Sequence, residues 1–248
     1  MKWIAALALA LMAIQAHAAE KILRFYGYGY DLKTNQYLYT EVHAQRVDGD
    51  HWLGGTITYF APDGKKIAFK SLDFSRDTFI PIYRLDQLND GYVEGISKIG
   101  DEIEVFKRGN SKTKMEPGTV DREPLMAADS GFHNLIRTHF DELMKGEKLS
   151  FRLVVAGQLD AYQFRLRKTG ETQFEGKPAV TIIAEPDSLL RLVVDALQLT
   201  YDPTTHKLLE YRGVSNLHDP ESGDIYVARI VYASTPPADA PKKLPPLQ

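Results

Sequence analysis

Cysteine is absent from this 248-residue sequence. The chain therefore forms no disulfide bond, carries no thiolate nucleophile and offers no cysteine ligand to a metal ion. Its stability has to come from a hydrophobic core, and a chain of this length is long enough to bury one.

Clusters of basic residues are also missing. The 30 lysine and arginine residues are scattered among 33 aspartate and glutamate residues, which gives a formal net charge of −3. Because nucleic-acid binding depends on clustered basic side chains, the sequence argues against a nucleic-acid partner.

Long apolar runs are confined to the start of the chain. Residues 1–18 contain one early Lys2, an apolar stretch over residues 4–14 and Ala16-His17-Ala18, the small-x-small pattern that signal peptidase cleaves. We predict a secretory signal peptide cleaved after Ala18, a periplasmic location and no transmembrane segment once the leader is removed. No cysteine follows the cleavage site, which argues against lipid attachment there. Loss of Lys2 changes the formal charge from −3 to −4.

Strand-forming segments fill most of the remaining chain. They are rich in Tyr, Ile, Val, Thr and Phe, and Asp-Gly pairs between them favour tight hairpins, which make neighbouring strands antiparallel. The predicted strands of the first half are residues 22–30, 37–46, 51–60, 65–72, 79–85, 92–99 and 102–108. Those of the second half are residues 149–156, 161–168, 172–174, 179–184, 197–201, 207–213 and 225–232.

The segment from Asp129 to Gly146 is the one long amphipathic stretch after the leader. Asp129 or Ser130 can accept a hydrogen bond from the first helical turn, and Gly146 suits the left-handed conformation that ends a helix. We therefore predict one helix over residues 130–145 whose apolar stripe packs on a sheet. The stripe consists of Phe132, Leu135, Ile136, Phe140 and Leu143.

Three segments carry less regular patterns. Residues 109–126 contain Pro117, Gly118 and Pro124 and are predicted to be a long loop that is either mobile or functional. Residues 186–196 fit either a short helix or a buried strand, and periodicity leaves both open. Residues 234–248 include five prolines and are predicted to be a disordered tail.

Together these elements predict a mainly β (α+β) fold with a single domain over residues 19–233. A large curved antiparallel sheet, or incompletely closed β-barrel, would carry the central amphipathic helix on its concave side.

The order of elements resembles a known family. A signal peptide, a long meander, a helix, a second meander and a closing Leu-x-Leu-x-Tyr-Asp-x-x-Thr hairpin over residues 197–205 are similar to the periplasmic lipoprotein-carrier superfamily and related exported proteins. The resemblance implies a curved β half-barrel whose hollow is covered by helices and receives acyl chains. It is one of architecture and assigns no functional residue.

Candidate catalytic and metal-binding groups are weak. Ser130 and His133 follow Asp129, but the flanking residues lack the glycines of a nucleophile elbow. The histidines show no metal-ligand spacing, and His43 and His51 only flank one hairpin. Glycines in the Phe25–Tyr30 segment indicate a bend or a close approach by another element rather than a phosphate loop. We predict no catalytic residue, no metal and no cofactor.

Aromatic residues provide the best functional clue, because they exceed what a thin sheet would hide. If the interior is incompletely filled, they would line a cavity for an apolar ligand. The residues predicted to line it are Phe25, Tyr39, Trp52, Tyr59, Phe69, Phe132, Ile136, Phe140, Phe151 and Phe164.

The leading hypothesis is a non-enzymatic envelope protein that binds a lipid, an acyl chain or another apolar small molecule, selected by shape rather than by charge. The alternatives are a module that docks other envelope proteins through a sheet edge or the long loop, and a hydrolase of unfamiliar type.

Overall fold

The computed structural model describes residues 20–187, 196–219 and 221–247. The predicted signal peptide lies outside these residues. So do residues 188–195, where the sequence left a short helix and a buried strand as alternatives.

Within the described residues, fifteen strands form one sheet. The first eight are β1 (Lys21–Asp31), β2 (Tyr37–Asp48), β3 (His51–Phe60), β4 (Lys66–Asp73), β5 (Ile82–Gln87), β6 (Val93–Ile99), β7 (Glu102–Arg108) and β8 (Glu116–Asp121). The others are β9 (Met126–Ala128), β10 (Leu149–Val155), β11 (Asp160–Phe174), β12 (Lys177–Pro186), β13 (Leu197–Tyr201), β14 (Leu208–His218) and β15 (Ile225–Val231).

The strands lie in the order β8-β7-β6-β5-β4-β3-β2-β1-β15-β14-β13-β12-β11-β10-β9. Two meanders are thus joined where β1 pairs with β15. At the other end of the second meander, β9 pairs with β10 in parallel. The predicted mainly β fold, one large sheet that does not close into a barrel, is confirmed.

The two meanders approach each other at a 3-10 helix over Ala156–Gln158. A side chain at Gly157 would come within 2.4 Å of the Glu94 carboxylate. One at Gly118 would come within 3.0 Å of Leu159. Because the ends of the sheet curl toward each other in this way, the sheet has an interior.

The predicted loop over residues 109–126 is partly wrong, because residues 116–121 form β8. This strand lies at the edge of the sheet, contains Pro117 and buries Val120 alone. An edge strand needs neither alternating apolar residues nor a complete set of backbone donors, so its sequence resembles that of a loop.

The single helix predicted over residues 130–145 is divided into α1 (Gly131–Thr138) and α2 (Phe140–Met144). His139 separates them with φ −103° and ψ 22°. Gly146, at φ +90°, ends α2 as predicted.

The apolar stripe of the two helices packs on the inside of the sheet. All five predicted stripe residues are buried in one cluster with side chains of β9 to β13. Burial of a large apolar side chain contributes about 1.5–3 kcal/mol, so this contact accounts for the position of the helices. Its sheet-side members include Phe151, Phe164, Leu166, Ile182, Leu199 and Tyr201.

The tail differs from the predicted disordered end. The Tyr30 hydroxyl donates to Asp239 Oδ1 at 2.9 Å, and the Tyr26 hydroxyl donates to the Pro245 carbonyl at 2.6 Å. Leu244 packs beside the tyrosines on the outer face of β1. The tail thus supplies hydrogen-bond partners and apolar cover to aromatic residues that would otherwise face solvent.

In the described ranges, no helix has the length and apolar character that a membrane span requires.

Candidate functional site

A cavity of about 710 Å³ lies inside the curved sheet, next to α1. Phe25, Trp52, Phe132 and Leu199 are among the apolar side chains that line it. A volume of roughly 300–1,000 Å³ with mainly apolar walls is typical of sites that bind small molecules.

Residues at the mouth connect the cavity with solvent. Leu23 lines it and is 47% exposed, and Lys207 is also exposed. Arg137 of α1 donates from Nη1 to the Asp50 carbonyl at 3.3 Å, which joins the helix to the β2–β3 turn at this rim. A ligand can therefore reach the apolar walls from outside.

Ionisable side chains interrupt these apolar walls. Alternation along β2, β4 and β6 directs Glu41, His43, Lys70 and Glu94 to the interior, where all four are buried and line the cavity. Buried charged groups are costly unless they are paired, so the partners of each one decide its role.

Lys70 belongs to a closed set of contacts. Its Nζ donates to Asp129 Oδ2 at 2.5 Å and to Asn216 Oδ1 at 3.3 Å. The other Asp129 oxygen accepts hydrogen bonds from the Ser130 N–H at 2.6 Å and from its hydroxyl at 2.7 Å. Ser130 is the N-cap residue of α1. Its side chain makes no hydrogen bond to the first turn of the helix, so Ser130 does not cap the helix in the way that was predicted as one of two alternatives. The contacts attach the start of α1 to β4 and β14.

Glu94 is satisfied in the same way. It accepts hydrogen bonds from Asn216 Nδ2 at 2.7 Å, from the Tyr83 hydroxyl at 3.1 Å and from the Tyr92 hydroxyl at 2.7 Å. Burial, followed by the Glu94 carboxylate, raises the pKa of Tyr83 well above its ordinary value, so its hydroxyl keeps the proton that it donates.

Glu41 and His43 form a pair that is incompletely satisfied. His43 Nε2 lies 2.8 Å from Glu41 Oε2, and the Tyr232 hydroxyl donates to the same oxygen at 3.3 Å. The imidazole stacks on Phe25 with ring centroids 4.4 Å apart. Its Nδ1 is buried and has no hydrogen-bond partner among the described residues. One imidazole nitrogen of the pair is thus buried without a hydrogen bond, which is unusual in a folded protein.

Two glycines of β1 make room for side chains of β2, Gly27 for Glu41 of this pair and Gly29 for Tyr39. A side chain at Gly27 would come within 2.6 Å of the Glu41 carboxylate, and one at Gly29 within 2.5 Å of the Tyr39 ring. The pairing of β1 with β2 also shifts register after Gly29. Of the two alternatives predicted for this segment, a bend or a close approach by another element, the close approach is observed.

Five of the ten residues predicted to line a cavity do so: Phe25, Tyr39, Trp52, Tyr59 and Phe132. The structure places the others elsewhere, with Ile136, Phe140, Phe151 and Phe164 in the packed core under the helices and Phe69 on the outer face, where Lys66 lies over its ring. The helix stripe fills the space beneath it, so the cavity extends only beside the helices. Ionisable side chains also form part of the cavity wall, although selection of the ligand by shape rather than by charge was expected.

Ser130 and His133 do not contact each other as a catalytic pair would. The Ser130 hydroxyl donates to Asp129, while His133 Nδ1 lies 2.9 Å from the Tyr201 hydroxyl. Burial, with a smaller contribution from Arg137, lowers the pKa of His133 to about 3. The imidazole is therefore neutral and positions α1 against β13.

This lowered pKa predicts a pH dependence of stability. The unfolded chain binds a proton at His133 below pH 6.5, whereas the folded chain does so only near pH 3, so acidification across this window favours unfolding. We expect His133→Asn to weaken the fall in urea midpoint between pH 6.5 and 4 relative to wild type. Identical slopes in the two proteins would contradict this assignment.

Metal ligands are not brought together. Across residues 20–187, 196–219 and 221–247, no three histidine, aspartate or glutamate side chains form a group that could hold a metal ion. His43 is buried against Phe25, whereas His51 is exposed at the far end of the hairpin.

Glu41, Lys70 and Glu94 were not among the predicted site residues, although the sequence carries a signal for them. Each is an ionisable residue at an inward position of an alternating strand, where an apolar residue is expected. Comparison with known proteins found no matching family model, no similar curated protein and no similar solved structure.

Proposed function

We propose that the chain is an exported, periplasmic protein that binds a lipid, an acyl chain or another apolar small molecule inside its curved sheet. The observation that carries the proposal is the cavity of about 710 Å³, with aromatic and aliphatic walls and a mouth beside exposed Leu23. Removal of apolar ligand surface from water contributes about 25 cal/mol per Å², which favours such a ligand in such a cavity.

The architectural resemblance to periplasmic lipoprotein carriers agrees with this proposal and stays a prediction. It concerns the curved sheet with a helix on its inside, and it assigns no role to any residue.

Two other functions are less well supported. The first is docking through a sheet edge. The sheet has two edge strands: β9 is buried, and β8 carries Pro117 and the exposed Glu116 and Asp121, which limit strand addition. A hydrolase built on Ser130 would need a base next to its hydroxyl, and His133 is bonded to Tyr201 instead.

Native mass spectrometry tests the proposal. The protein is purified from the periplasm without detergent and measured before and after denaturation. A released molecule of lipid size supports the binding function and identifies the ligand class. A bare polypeptide that also fails to take up added acyl chains contradicts it and favours the docking alternative.

A cavity-blocking substitution gives a matched test. Leu153 lines the cavity, whereas Val227 is 38% exposed on β15 and does not. We expect Leu153→Trp to weaken ligand binding by about tenfold or more, because the added ring occupies ligand space. Val227→Trp should bind normally. Equal affinity in the two variants, measured by titration, would argue against binding in this cavity.

A further inference from the structure

The Tyr59 side chain presents a hydroxyl to the cavity. Tyr59 lies at an inward position of β3, lines the cavity and is only 4% exposed. Its hydroxyl makes no hydrogen bond within the described part of the chain. In that same part, the side-chain atoms that are both sealed in the protein and unpartnered are His43 Nδ1 and Arg165 Nε. The Tyr59 hydroxyl is therefore unpartnered but accessible, and it opens on the cavity.

The groups around the Tyr59 hydroxyl place it in the interior. Glu41 is the direct neighbour of Tyr59 on β2, and the Tyr39 ring meets the Tyr59 ring edge to face at 5.8 Å. The phenol oxygen also interacts electrostatically with Asp129, which precedes α1, and with Glu94 of β6. All these side chains line the cavity, so the hydroxyl points into the space that they enclose.

The surroundings make the Tyr59 hydroxyl a hydrogen-bond donor. Burial, followed by the carboxyl groups of Glu41, Asp129 and Glu94, raises the pKa of Tyr59 well above its ordinary value, so the phenol keeps its proton. A neutral phenol can donate this proton to a carbonyl oxygen. The same three carboxyl groups disfavour negative charge at this position. The acceptor that fits the hydroxyl is therefore a neutral one.

The hydroxyl lies well inside the mouth of the cavity. In the pairing of β1 with β2, Leu23 at the mouth is opposite Gln45, and Gly27 is opposite Glu41, the neighbour of Tyr59. These two rows are four residues apart along β1, about 13 Å at about 3.3 Å per residue. A ligand bonded to Tyr59 thus has its polar group buried and fills the space toward the mouth with apolar surface.

We propose that Tyr59 is a hydrogen-bonding group of the cavity and donates to the carbonyl oxygen of a neutral, otherwise apolar ligand such as an ester or a ketone. The inference rests on the proposed cavity function and specifies its ligand class as carbonyl-bearing apolar molecules rather than free fatty acids. A polar group buried without a partner costs free energy, so such a ligand is favoured over a hydrocarbon of the same shape.

The experiment compares methyl nonyl ketone with the alkene of the same shape, in which a methylene group replaces the carbonyl oxygen. Dissociation constants are measured from the emission of Trp52, which lines the cavity. Tyr59→Phe removes only the hydroxyl and breaks no hydrogen bond among the described residues, so the variant should fold. Tyr37→Phe is the matched control, because Tyr37 packs on the outer face, where its hydroxyl is bonded to Thr40.

We expect Tyr59→Phe to raise the dissociation constant of the ketone about fivefold relative to that of the alkene, the value of one neutral hydrogen bond. Tyr37→Phe should leave the ratio unchanged. An unchanged ratio in Tyr59→Phe overturns the role of Tyr59 while leaving the cavity function intact. Failure of both molecules to bind wild-type protein overturns the cavity function as well.

Two measurements on the wild-type protein need no substitution. The infrared stretch of an isotope-labelled ketone carbonyl should lie at lower frequency in the complex than in hexane, because a hydrogen bond weakens the C=O bond. Equal frequencies would exclude the bond to Tyr59. Decanoate at neutral pH should bind less tightly than the ketone, and tighter binding of decanoate overturns the neutral ligand class.

Discussion

Replacement of Lys70 by methionine is expected to lower the free energy of unfolding by about 3–5 kcal/mol, because it leaves a buried carboxylate without its cation. The side chains of Lys70 and Asp129 are 3% and 1% exposed, and their charged atoms lie 2.5 Å apart. Urea unfolding at neutral pH measures the change.

An exposed ion pair provides the control. Lys98 and Glu104 lie 2.8 Å apart with side chains 68% and 45% exposed, so Lys98→Met should lower the free energy of unfolding far less than Lys70→Met does. Adding Asp129→Asn to Lys70→Met should recover part of the loss, since asparagine removes the orphaned charge and tolerates the positive φ of residue 129. Equal costs for the two lysine substitutions would contradict the importance of the buried pair.

Phe140→Ala is expected to lower the free energy of unfolding by about 3–5 kcal/mol through the cavity it creates in the packed core. Phe140 is 1% exposed, stacks on His206 with ring centroids 4.0 Å apart and contacts Tyr201 edge to face. Phe140 packs α2 against β13, so Phe140→Ala should weaken the attachment of α2 to the sheet.

Phe69→Ala is the matched comparison. Because Phe69 is half-buried on the outer face, this substitution should lower the free energy of unfolding by less than Phe140→Ala does. Folded Phe140→Ala protein should keep its affinity for an apolar ligand, since Phe140 does not line the cavity. A loss of affinity as large as that of Leu153→Trp would show that the cavity extends beneath the helices.

Much of the fold could be predicted because its signals are local. The Asp-Gly pairs at residues 48–49, 63–64 and 90–91 each favour a hairpin between adjacent strands of the first meander. Short turns between strand-forming segments indicate the second meander in the same way. The register shift between Lys168 and Gly170, which joins two predicted strands into β11, has no equally local signal. Neither does the break at His139 that separates α1 from α2.

The site was harder to predict because curvature decides which aromatic residues meet a cavity. Alternation identifies Tyr59 as inward-facing, but it cannot separate Tyr59 from Phe164, which is equally buried beneath α1 and α2. The interior ionisable residues were recognisable in principle as polar interruptions of apolar faces. Some of their partners, such as Asn216 for Glu94, lie on strands distant in sequence.

The pairing of β1 with β15 has a consequence for folding. Tyr28 and Val231 are direct neighbours in the sheet, and Tyr30 is bonded to Asp239, 209 residues away. The first meander can form hairpins while the chain is being synthesised, but the edge of β1 stays unpaired until residues 225–231 are available to form β15. Pairings of such long range make folding slow and expose unpaired strand edges in the meantime. A chain made or exported from its N-terminus would therefore need protection from aggregation until almost all of it is available.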